Sequence, residues 1–258
     1  MTTIVSIINH KGGVSKTTSV VNLAAGLVML GKKVLVIDLD TQMNLTHSLI
    51  GDINENEPSI AEAILNDKRP LKEFIKPTAT KGMDIIPSGE SMVDLDLKLQ
   101  SAFGRESLLK RTLSKPEIKA YDFVLLDNQP HLGLTTVNSL VASHKYIVPV
   151  SSEYLPMVGL RNLIRTIEQI KPLNPDIENL GYLLTMVDRR EGISSDVENI
   201  LRENFGEDVF KTVIRINTKL KACPQKRQTI FQAETAKGKG YSDYLNATKE
   251  LLKRLGKN

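Results

Sequence analysis

The segment from Asn9 to Thr18, NHKGGVSKTT, combines two glycines, two lysines and three hydroxyl side chains directly behind an apolar run, TIVSII. Glycine-rich backbone can curl its N–H groups around a phosphate, since glycine permits close approach and unusual dihedral angles. A lysine followed by a hydroxyl residue at the start of a helix adds a positive charge for phosphates and a ligand for Mg²⁺. These residue types, in this order, indicate binding of a nucleoside triphosphate.

The segment departs from the strict phosphate-loop pattern, G-x-x-x-x-G-K-[ST], at two positions. His10 and Ser15 stand where that pattern has glycine, and Lys11 is an additional lysine. The spacing predicts that Lys16 contacts the β- and γ-phosphates and that the Thr17 hydroxyl binds Mg²⁺. The alternative is a glycine-rich turn with two solvated lysines. The order strand, loop, helix favours the phosphate loop.

Further carboxylates follow predicted strands. An apolar strand that ends in aspartate delivers a carboxylate to the same sheet edge as the loop, where a magnesium phosphate complex needs one. The run DFVLLD ends in Asp127, and KVLVID ends in Asp38, with Asp40 two residues later. Asp38 could instead accept hydrogen bonds from loop backbone. The residues alone leave the roles of Asp38 and Asp40 open.

These side chains need a scaffold that brings them to one edge. Short runs rich in Val, Ile and Leu alternate with segments of helical periodicity, and most runs are continuously apolar, as in parallel strands covered on both faces. Strands separated by helices imply βαβ units. The sequence therefore predicts an α/β fold of the P-loop NTPase type, a doubly wound, mostly parallel sheet with helices on both faces, in a single domain over residues 1–258. The predicted strands are TIVSII, KVLVID, MDIIPS, DFVLLD, KYIVPV, GYLLTMV and VFKTVI, and helices are predicted at Thr17–Leu30, Gly159–Ile170 and Asp196–Glu203.

The bulk composition is that of an ordinary globular protein. Of 258 residues, 41% are hydrophobic and 25% are charged, and this length suffices for one large α/β domain. We see no charged leader before an apolar core and no apolar run of the ~18 residues that a membrane span requires. One cysteine, Cys223, cannot form an intramolecular disulfide, and four scattered histidines indicate no metal site. We expect a cytoplasmic protein.

The net charge of +4 is unevenly distributed. Residues 211–258 contain 12 Lys+Arg against 3 Asp+Glu, a balance of +9 that leaves −5 for the rest of the chain. Such asymmetry predicts an anionic partner, either nucleic acid or a membrane surface. A solvated basic face without a partner is the alternative that charge counting leaves open.

Three motifs, in order, resemble those of the ParA/MinD family of deviant Walker A ATPases. KGGVSKTT is similar to the family's KGGVGKTT, VLVIDLDTQMNLT to its second motif, typically DLDPQGNAT, and YDFVLLDNQP to its Walker B strand, typically YDYIIIDCPP. The lysine at the start of the loop is the family's signature, here Lys11. Later segments resemble ParA proteins in order as well, and residues 52–114 are the weakest part of the likeness.

The resemblance implies roles for individual residues. Lys11 reaches the phosphates bound by the other subunit of an ATP-sandwiched homodimer, Asp40 orients the attacking water, and Asp127 lies near Mg²⁺. ATP and Mg²⁺ are the implied cofactors. The nucleotide-binding residues would be Lys11, Gly12, Gly13, Val14, Ser15, Lys16, Thr17 and Thr18, with Met186 and Asn217 near the adenine; Lys11, Lys16 and Asp40 would be catalytic, and Thr17 and Asp127 would hold the metal.

The implied function is that of a ParA-type partitioning ATPase, closest to proteins that segregate chromosomes or plasmids. The ATP dimer would bind double-stranded DNA without sequence specificity, at the nucleoid, and a ParB-like or other cargo-bound activator would stimulate hydrolysis. Lys219 matches a family arginine implicated in DNA contact. The full set of DNA-binding candidates is Arg189, Arg190, Lys219, Lys221, Lys226 and Arg227.

Alternatives remain within the same scaffold. A related ATPase could position another cargo, such as a protein assembly, and sequence does not separate the two. A MinD-like membrane switch is disfavoured because DYLNATKELLKRLGKN is typical of the last helix of a core, not of a separate amphipathic segment. An ATP-dependent ligase would need a substrate constellation that we do not find, and a dimer-bridging iron–sulfur cluster would need at least two cysteines per chain.

Ser15 replaces the glycine that directly precedes the phosphate-loop lysine in the family motif. A Cβ atom there risks a clash with the β-phosphate, which would weaken nucleotide affinity and slow the enzyme. A small side chain could instead fit after a slight shift. Because Lys11, Lys16 and the two carboxylates Asp40 and Asp127 are all present, we expect ATP binding to be retained.

Overall fold

The structure is a computed structural model that describes residues 2–54, 57–66, 68–153 and 157–256. The described strands are β1 (Thr3–Ile7), β2 (Val34–Leu39), β3 (Lys76–Pro77), β4 (Met83–Ile86), β5 (Phe123–Asn128), β6 (Lys145–Ser151) and β7 (Glu178–Thr185). They form one sheet in the order β3-β4-β2-β5-β1-β6-β7. Neighbouring strands run parallel except β3, which pairs antiparallel with β4. The carboxyl ends of β1, β2 and β5 therefore meet at one edge, where ligands of such sheets bind.

Helices connect the strands and cover both faces of the sheet. In the described residues they are α1 (Lys16–Met29), α2 (Asn44–Leu49), α3 (Ile60–Leu65), α4 (Leu95–Gln100), α5 (Leu108–Thr112), α6 (Leu134–Ala142), α7 (Met157–Ile170), α8 (Gly192–Phe205), α9 (Thr218–Ala222), α10 (Ile230–Ala233) and α11 (Lys239–Arg254). Successive strand residues face opposite sides. Val36 packs with Leu23 of α1 and Leu251 of α11 on one face, and Ile37 packs with Ile64 of α3 on the other. The predicted fold class is confirmed.

The longer helices lie near their predicted bounds. Helix α1 starts one residue before the predicted Thr17 and ends one residue before the predicted Leu30, and Gly31 then has a φ of 78°, the left-handed geometry that commonly ends helices. Helix α7 starts two residues earlier than predicted, and α8 is longer than predicted at both ends. None of the helices in the described ranges is long and apolar enough to span a membrane.

The prediction of a strand at VFKTVI is wrong. Residues 209–214 form no continuous strand beside β7. Isolated bridges pair Val209 with Tyr182 and Arg215 with Val187, one near each end of the segment. The N–H groups of Lys211 and Thr212 donate to the carboxylate of Glu250 in α11, at 2.8 and 2.9 Å, so a side chain takes the donors that a strand ladder would use. The sequence pattern also missed β3, because a two-residue strand containing proline shows no alternation.

Candidate nucleotide-binding site

The phosphate-loop segment connects β1 to α1 and turns over Gly12 and Gly13. Gly13 has a φ of 72°, and a Cβ atom added to either glycine would meet no protein atom within 4 Å. Asn9 holds the start of the loop, because its Oδ1 accepts the N–H of Lys11 at 3.0 Å and its Nδ2 donates to the carbonyl of Pro149 at 2.8 Å. The loop leaves open space beside its glycines, at a helix N-terminus that favours anions.

Ser15 precedes α1 in the left-handed conformation, with φ 64° and ψ 31°. Glycine adopts this conformation freely, whereas a residue with a Cβ atom is strained by about 1–2 kcal/mol. Backbone geometry therefore favours glycine here, in addition to the phosphate clash that the sequence suggested. Met43, Met186 and Arg227 share this positive φ among the described non-glycine residues, and each lines the cavity described next or adjoins a residue that does. Backbone strain of this kind concentrates at functional sites.

A cavity of 430 Å³ opens beside the loop, a size typical of small-molecule sites. Several predicted residues line it, namely Gly12, Gly13, Ser15, Lys16, Thr17, Thr18, Asp40 and Met186. Sequence reasoning missed a polar wall formed by Asn22, Gln42, Asn44, Ser48 and Gln228 together with Cys223. Gln42 and Asn44 lie within the second motif but were not singled out, whereas Asn22, Ser48 and Gln228 are distant in sequence and become neighbours only in the fold. Of the other loop residues, Val14 is buried under the loop and Lys11 is exposed at its head.

Lys16 is buried within the loop, with its Nζ donating to the carbonyl of Lys11 at 2.9 Å. Burial lowers the pKa of Lys16, while the negative charges of Asp127 and Asp40 act in the opposite direction. The ammonium group is thus held between the loop backbone and two carboxylates. This position at the cavity wall agrees with the predicted role on phosphates.

Asp127 is fully buried near the end of β5, and it is paired in the sheet with Asp38 of the neighbouring strand β2. Burial and then the charge of Asp38 raise the pKa of Asp127 well above its usual value, whereas the Thr17 hydroxyl and Lys16 lower it. Neither Asp127 oxygen accepts a hydrogen bond of normal geometry from the described residues. A buried carboxylate with so few hydrogen-bond donors is stabilised either by a proton or by a bound cation, so Asp127 and the neighbouring Thr17 hydroxyl stay candidates for metal ligands.

Asp38 and Asp40 have different surroundings. The Asp38 carboxylate accepts hydrogen bonds from the N–H and hydroxyl of Thr46, at 2.8 and 2.7 Å, and from the N–H of Asp40 at 3.1 Å. Burial nevertheless raises the pKa of Asp38 to about 6. The Asp40 carboxylate accepts the N–H of Gln42 at 3.0 Å and lines the cavity. Asp38 therefore fastens α2 to β2, and Asp40 is the carboxylate available to a ligand.

The two residues expected near the adenine, Met186 and Asn217, line one small cavity of 90 Å³ together with Ser15 and Thr18. The Asn217 side chain also has structural tasks. Its Oδ1 accepts the N–H of Lys219 at 2.8 Å at the start of α9, and its Nδ2 donates to Glu234 at 2.8 Å. The position fits the prediction, but contact with a base stays a prediction.

The basic residues predicted to bind DNA fall into two groups. Arg189, Arg190 and Lys219 line a groove of 700 Å³, together with Arg215 and Lys239, which the sequence had not singled out. We call this the α9 groove. Lys221, Lys226 and Arg227 are exposed outside it, on and after α9.

Many of the arginines near the α9 groove are already paired. Arg189 binds Glu198 at 2.7 Å, Arg190 binds Asp188 at 2.6 Å, and Arg215 binds Asp243 at 2.6 Å. In each pair the carboxylate is largely buried and the arginine is at least partly exposed, and the pairing reduces the positive charge available to a polyanion. Lys219 and the other predicted lysines form no salt bridge within the described residues.

Comparison with known proteins identifies relatives over almost the whole chain. A family model described as an AAA domain matches residues 2–179. The chain is 36% identical over 252 residues to the chromosome partitioning protein ParA of Myxococcus xanthus. This alignment covers 97% of this chain and 88% of that protein. The chain is 35% identical over 249 residues to the sporulation initiation inhibitor protein Soj of Bacillus subtilis, with 96% and 97% covered.

A solved structure shares the fold at similar sequence identity. The cobyrinic acid a,c-diamide synthase of Mycobacterium smegmatis, crystallised with a bound ATP analog and magnesium, superposes with a TM-score of 0.86. The two chains are 31% identical, and the match covers 99% of this chain and 96% of the other.

Proposed function

This chain belongs to the ParA/MinD family of ATPases, and from that premise we propose that it is a ParA-type partitioning ATPase that acts as an ATP-dependent homodimer on DNA. The observation that carries the proposal is the pair of lysines in one loop. Lys16 is buried against the cavity, whereas Lys11 is exposed at the head of the same loop. Lys16 would serve the nucleotide of its own subunit, and the exposed Lys11 would contact the nucleotide of a second subunit.

The residues at the cavity fit a magnesium nucleotide. The open space beside Gly12 and Gly13 and the uncompensated carboxylate of Asp127 are the supporting observations. The described residues contain no cluster of three or more His, Cys, Asp or Glu side chains that could hold a metal alone, which suits Mg²⁺, an ion usually bound through one or two protein ligands and substrate phosphates. Thr17 and Asp127 would hold Mg²⁺, which when bound neutralises charge on the phosphates.

Hydrolysis in such enzymes depends on positioning and charge stabilisation. Lys16 would stabilise the charge that develops on the γ-phosphate, and Lys11 of the partner subunit would add a second positive charge. Asp40 would orient the attacking water, since its carboxylate lines the cavity and is not engaged with α2 as Asp38 is. Because one charge comes from the other subunit, dimerisation becomes a condition for turnover.

DNA would bind non-specifically to the basic surface around α9 in the ATP dimer. Lys219, Lys221, Lys226 and Arg227 are exposed there, without interleaved aromatic side chains that would stack on bases. Contact with phosphates releases counterions, so log K should fall linearly with log salt, by about 0.9 per contact. We infer a cytoplasmic, nucleoid-associated protein whose hydrolysis is stimulated by a ParB-like or other cargo-bound activator.

Two alternatives receive less support. An amide synthase that takes nitrogen from glutamine needs a reactive thiolate, and the single cysteine, Cys223, is buried with its pKa raised by that burial. A MinD-like membrane switch needs an apolar helix face free for lipid. Helix α11 instead packs Tyr244, Leu251 and Leu252 into the core.

The test compares Lys11→Ala and Asp40→Ala with the unmodified chain in Mg-ATP. Lys11→Ala should bind ATP but remain monomeric in light scattering, with turnover reduced about 100-fold, the usual cost of removing one group that stabilises transition-state charge. Asp40→Ala should form the dimer and hold it without turnover, because only water positioning is lost.

Lys98→Ala is the control, since it removes an exposed lysine from α4, outside the cavity lining. Unmodified turnover in Asp40→Ala would remove Asp40 from the mechanism. Equal affinity of the ADP and ATP forms for duplex DNA would contradict the proposed cycle.

A further inference from the structure

A second basic groove lies at the opposite edge of the sheet from the nucleotide cavity. Its volume is 710 Å³, and its lining includes residues that directly precede strands, such as Thr2 before β1, Lys33 before β2 and Asp122 before β5. It therefore lies at the amino ends of the strands, and we call it the amino-edge groove. The basic side chains in its lining are Lys33, Lys110, Lys115, Lys119 and His144.

The lysines of the amino-edge groove are not neutralised by carboxylates. None of them takes part in a salt bridge within the described residues. The single acidic residue in the lining, Asp122, accepts the backbone N–H of Lys33 at 2.8 Å. Lys115 donates to the carbonyl of Arg69 at 2.7 Å, and Glu117 lies near it. The groove keeps a net positive charge after these contacts are counted.

The floor of the groove is apolar but closed. Ile4, Leu113, Ile118 and Ala142 are only 7%, 4%, 3% and 6% exposed, so an apolar side chain of a partner would cover little additional surface. The charged residues of the lining that are exposed are Lys33, Lys110 and Lys119, together with Asp122. A partner would gain affinity mainly from charge, which favours a polyanion of high charge density over an amphipathic peptide.

We propose that the amino-edge groove is a second contact surface for the phosphate backbone of duplex DNA, one that acts without nucleotide. Duplex DNA carries a charge every ~1.7 Å along its axis, and its backbone can rest on the rim without entering the groove. The inference relies on the proposed function for the identity of the polyanion. Because the groove and the nucleotide cavity lie at opposite edges of the sheet, this contact is independent of ATP, unlike the DNA contact around α9.

The consequence is a protein with two separate DNA surfaces. The surface around α9 would respond to ATP, and the amino-edge groove would provide a weak, permanent affinity for DNA. A subunit could then stay near DNA after hydrolysis, or hold two DNA segments at once.

The experiment measures binding of the full chain to a fluorescein-labelled 30-base-pair duplex by anisotropy, between 50 and 200 mM salt, without nucleotide and with Mg-ATP. Over this range of salt concentration, a protein that contacts several phosphates loses about 1000-fold or more in affinity for DNA. In the variant Lys110→Glu/Lys119→Glu, nucleotide-free affinity should fall roughly tenfold, and the slope of log K against log salt should decrease by about 1.8, or 0.9 for each lost contact. ATP hydrolysis should be unchanged, which also shows that the variant is folded.

Two controls separate this proposal from the function proposed above. Lys98→Glu carries one charge reversal on α4, and its effect is compared with that of Lys119→Glu alone. Lys219→Glu/Lys221→Glu should lower the ATP-dependent affinity and leave the nucleotide-free affinity within about twofold.

Three outcomes would overturn the inference. If Lys119→Glu and Lys98→Glu weaken nucleotide-free DNA binding equally, the effect is one of net charge and the groove is not a site. If DNA binding is unchanged in the double variant but binding of a labelled 12-residue oligoglutamate peptide is lost, the groove takes an acidic peptide. If ATP-dependent DNA binding survives while no nucleotide-free binding exists, the amino-edge proposal fails and the proposed function stands.

Discussion

Lys16 and Asp127 at the nucleotide cavity are buried, whereas the basic side chains around α9 are mostly exposed, and the two regions differ in how firmly each charge is held. Lys16 and Asp127 are at most 7% exposed, and burial raises the pKa of Asp127 while the charge of Lys16 lowers it. Around α9, Lys219 is exposed and forms no salt bridge with the described residues, while Arg190 is exposed and paired with Asp188. A buried charge acts over a short distance in a low dielectric, whereas an exposed one is screened by water and salt.

This difference determines what a single substitution can reveal. At the phosphate loop each charged residue has its own task, so its removal should produce a large and specific defect. Around α9 the contributions should be small, and they should depend on whether the residue already has a partner. The following predictions test that contrast, from the largest expected effect to the smallest.

Lys16→Ala should weaken ATP binding by at least about 100-fold, because a buried charge-assisted contact to phosphate contributes several kcal/mol. Isothermal titration with Mg-ATP measures the change, with circular dichroism as the check on folding. Binding within threefold of the unmodified chain would mean that the loop does not hold phosphates through this lysine.

Asp127→Asn should have opposite effects on stability with and without ligand. The neutral amide replaces a buried carboxylate whose charged form is disfavoured by burial and by Asp38, so the free energy of unfolding of the ligand-free protein should rise by about 1 kcal/mol or more. The additional stabilisation by Mg-ATP should be largely lost, since a metal ligand is gone. Thermal unfolding with and without Mg-ATP provides the measurement. A ligand-free variant less stable than the unmodified protein would show that neighbouring groups stabilise the Asp127 carboxylate in solution.

Ser15→Gly should stabilise the ligand-free protein by about 1 kcal/mol, because it relieves the left-handed strain at φ 64°. A protein of this size should then melt about 2–4 °C higher. We expect the unmodified chain to bind Mg-ATP already, and the glycine variant to bind somewhat more tightly. ATP binding by the glycine variant alone, at millimolar nucleotide, would contradict an ATPase role for the natural sequence.

Lys219→Ala and Arg190→Ala form a matched pair on the surface around α9. Each removes one positive charge, but Arg190 is already bonded to Asp188 at 2.6 Å. In the ATP state, Lys219→Ala should weaken DNA binding several-fold and reduce the salt slope by about 0.9, while Arg190→Ala should change both less. Equal effects would show that ion pairs of this surface open when DNA binds.

The sequence predicted the phosphate loop well because its features are local. Strand, glycines, lysine and hydroxyl follow one another within residues 3–17, so their spacing in the sequence predicts the geometry. The carboxylates of Asp40 and Asp127 could be predicted because parallel strands must bring their carboxyl ends to one edge. Their chemical roles remain predictions that the experiments above address.

Features formed by distant residues could not be predicted in this way. The pattern VFKTVI has strand-like composition, yet Glu250, almost 40 residues later, takes the N–H groups of Lys211 and Thr212. The polar wall of the cavity and the pairing of Arg215 with Asp243 arise similarly. Charge counting found the basic segment 211–258 but gave no information on which arginines are already paired with carboxylates.

The contact between α1 and α11 also bears on how the chain is made. Ser19 of α1 lies 3.5 Å from the Tyr244 hydroxyl of α11, 225 residues later, and the side-chain Oδ1 of Asn22 accepts the N–H of Ile230 in the neighbouring α10, 208 residues later. At about 5–20 residues per second, a ribosome takes roughly 10–45 s to add that much chain. Throughout that interval the apolar face of α1, and the phosphate loop that leads into it, lack their final cover. The nucleotide site is thus begun at the start of synthesis and completed near its end.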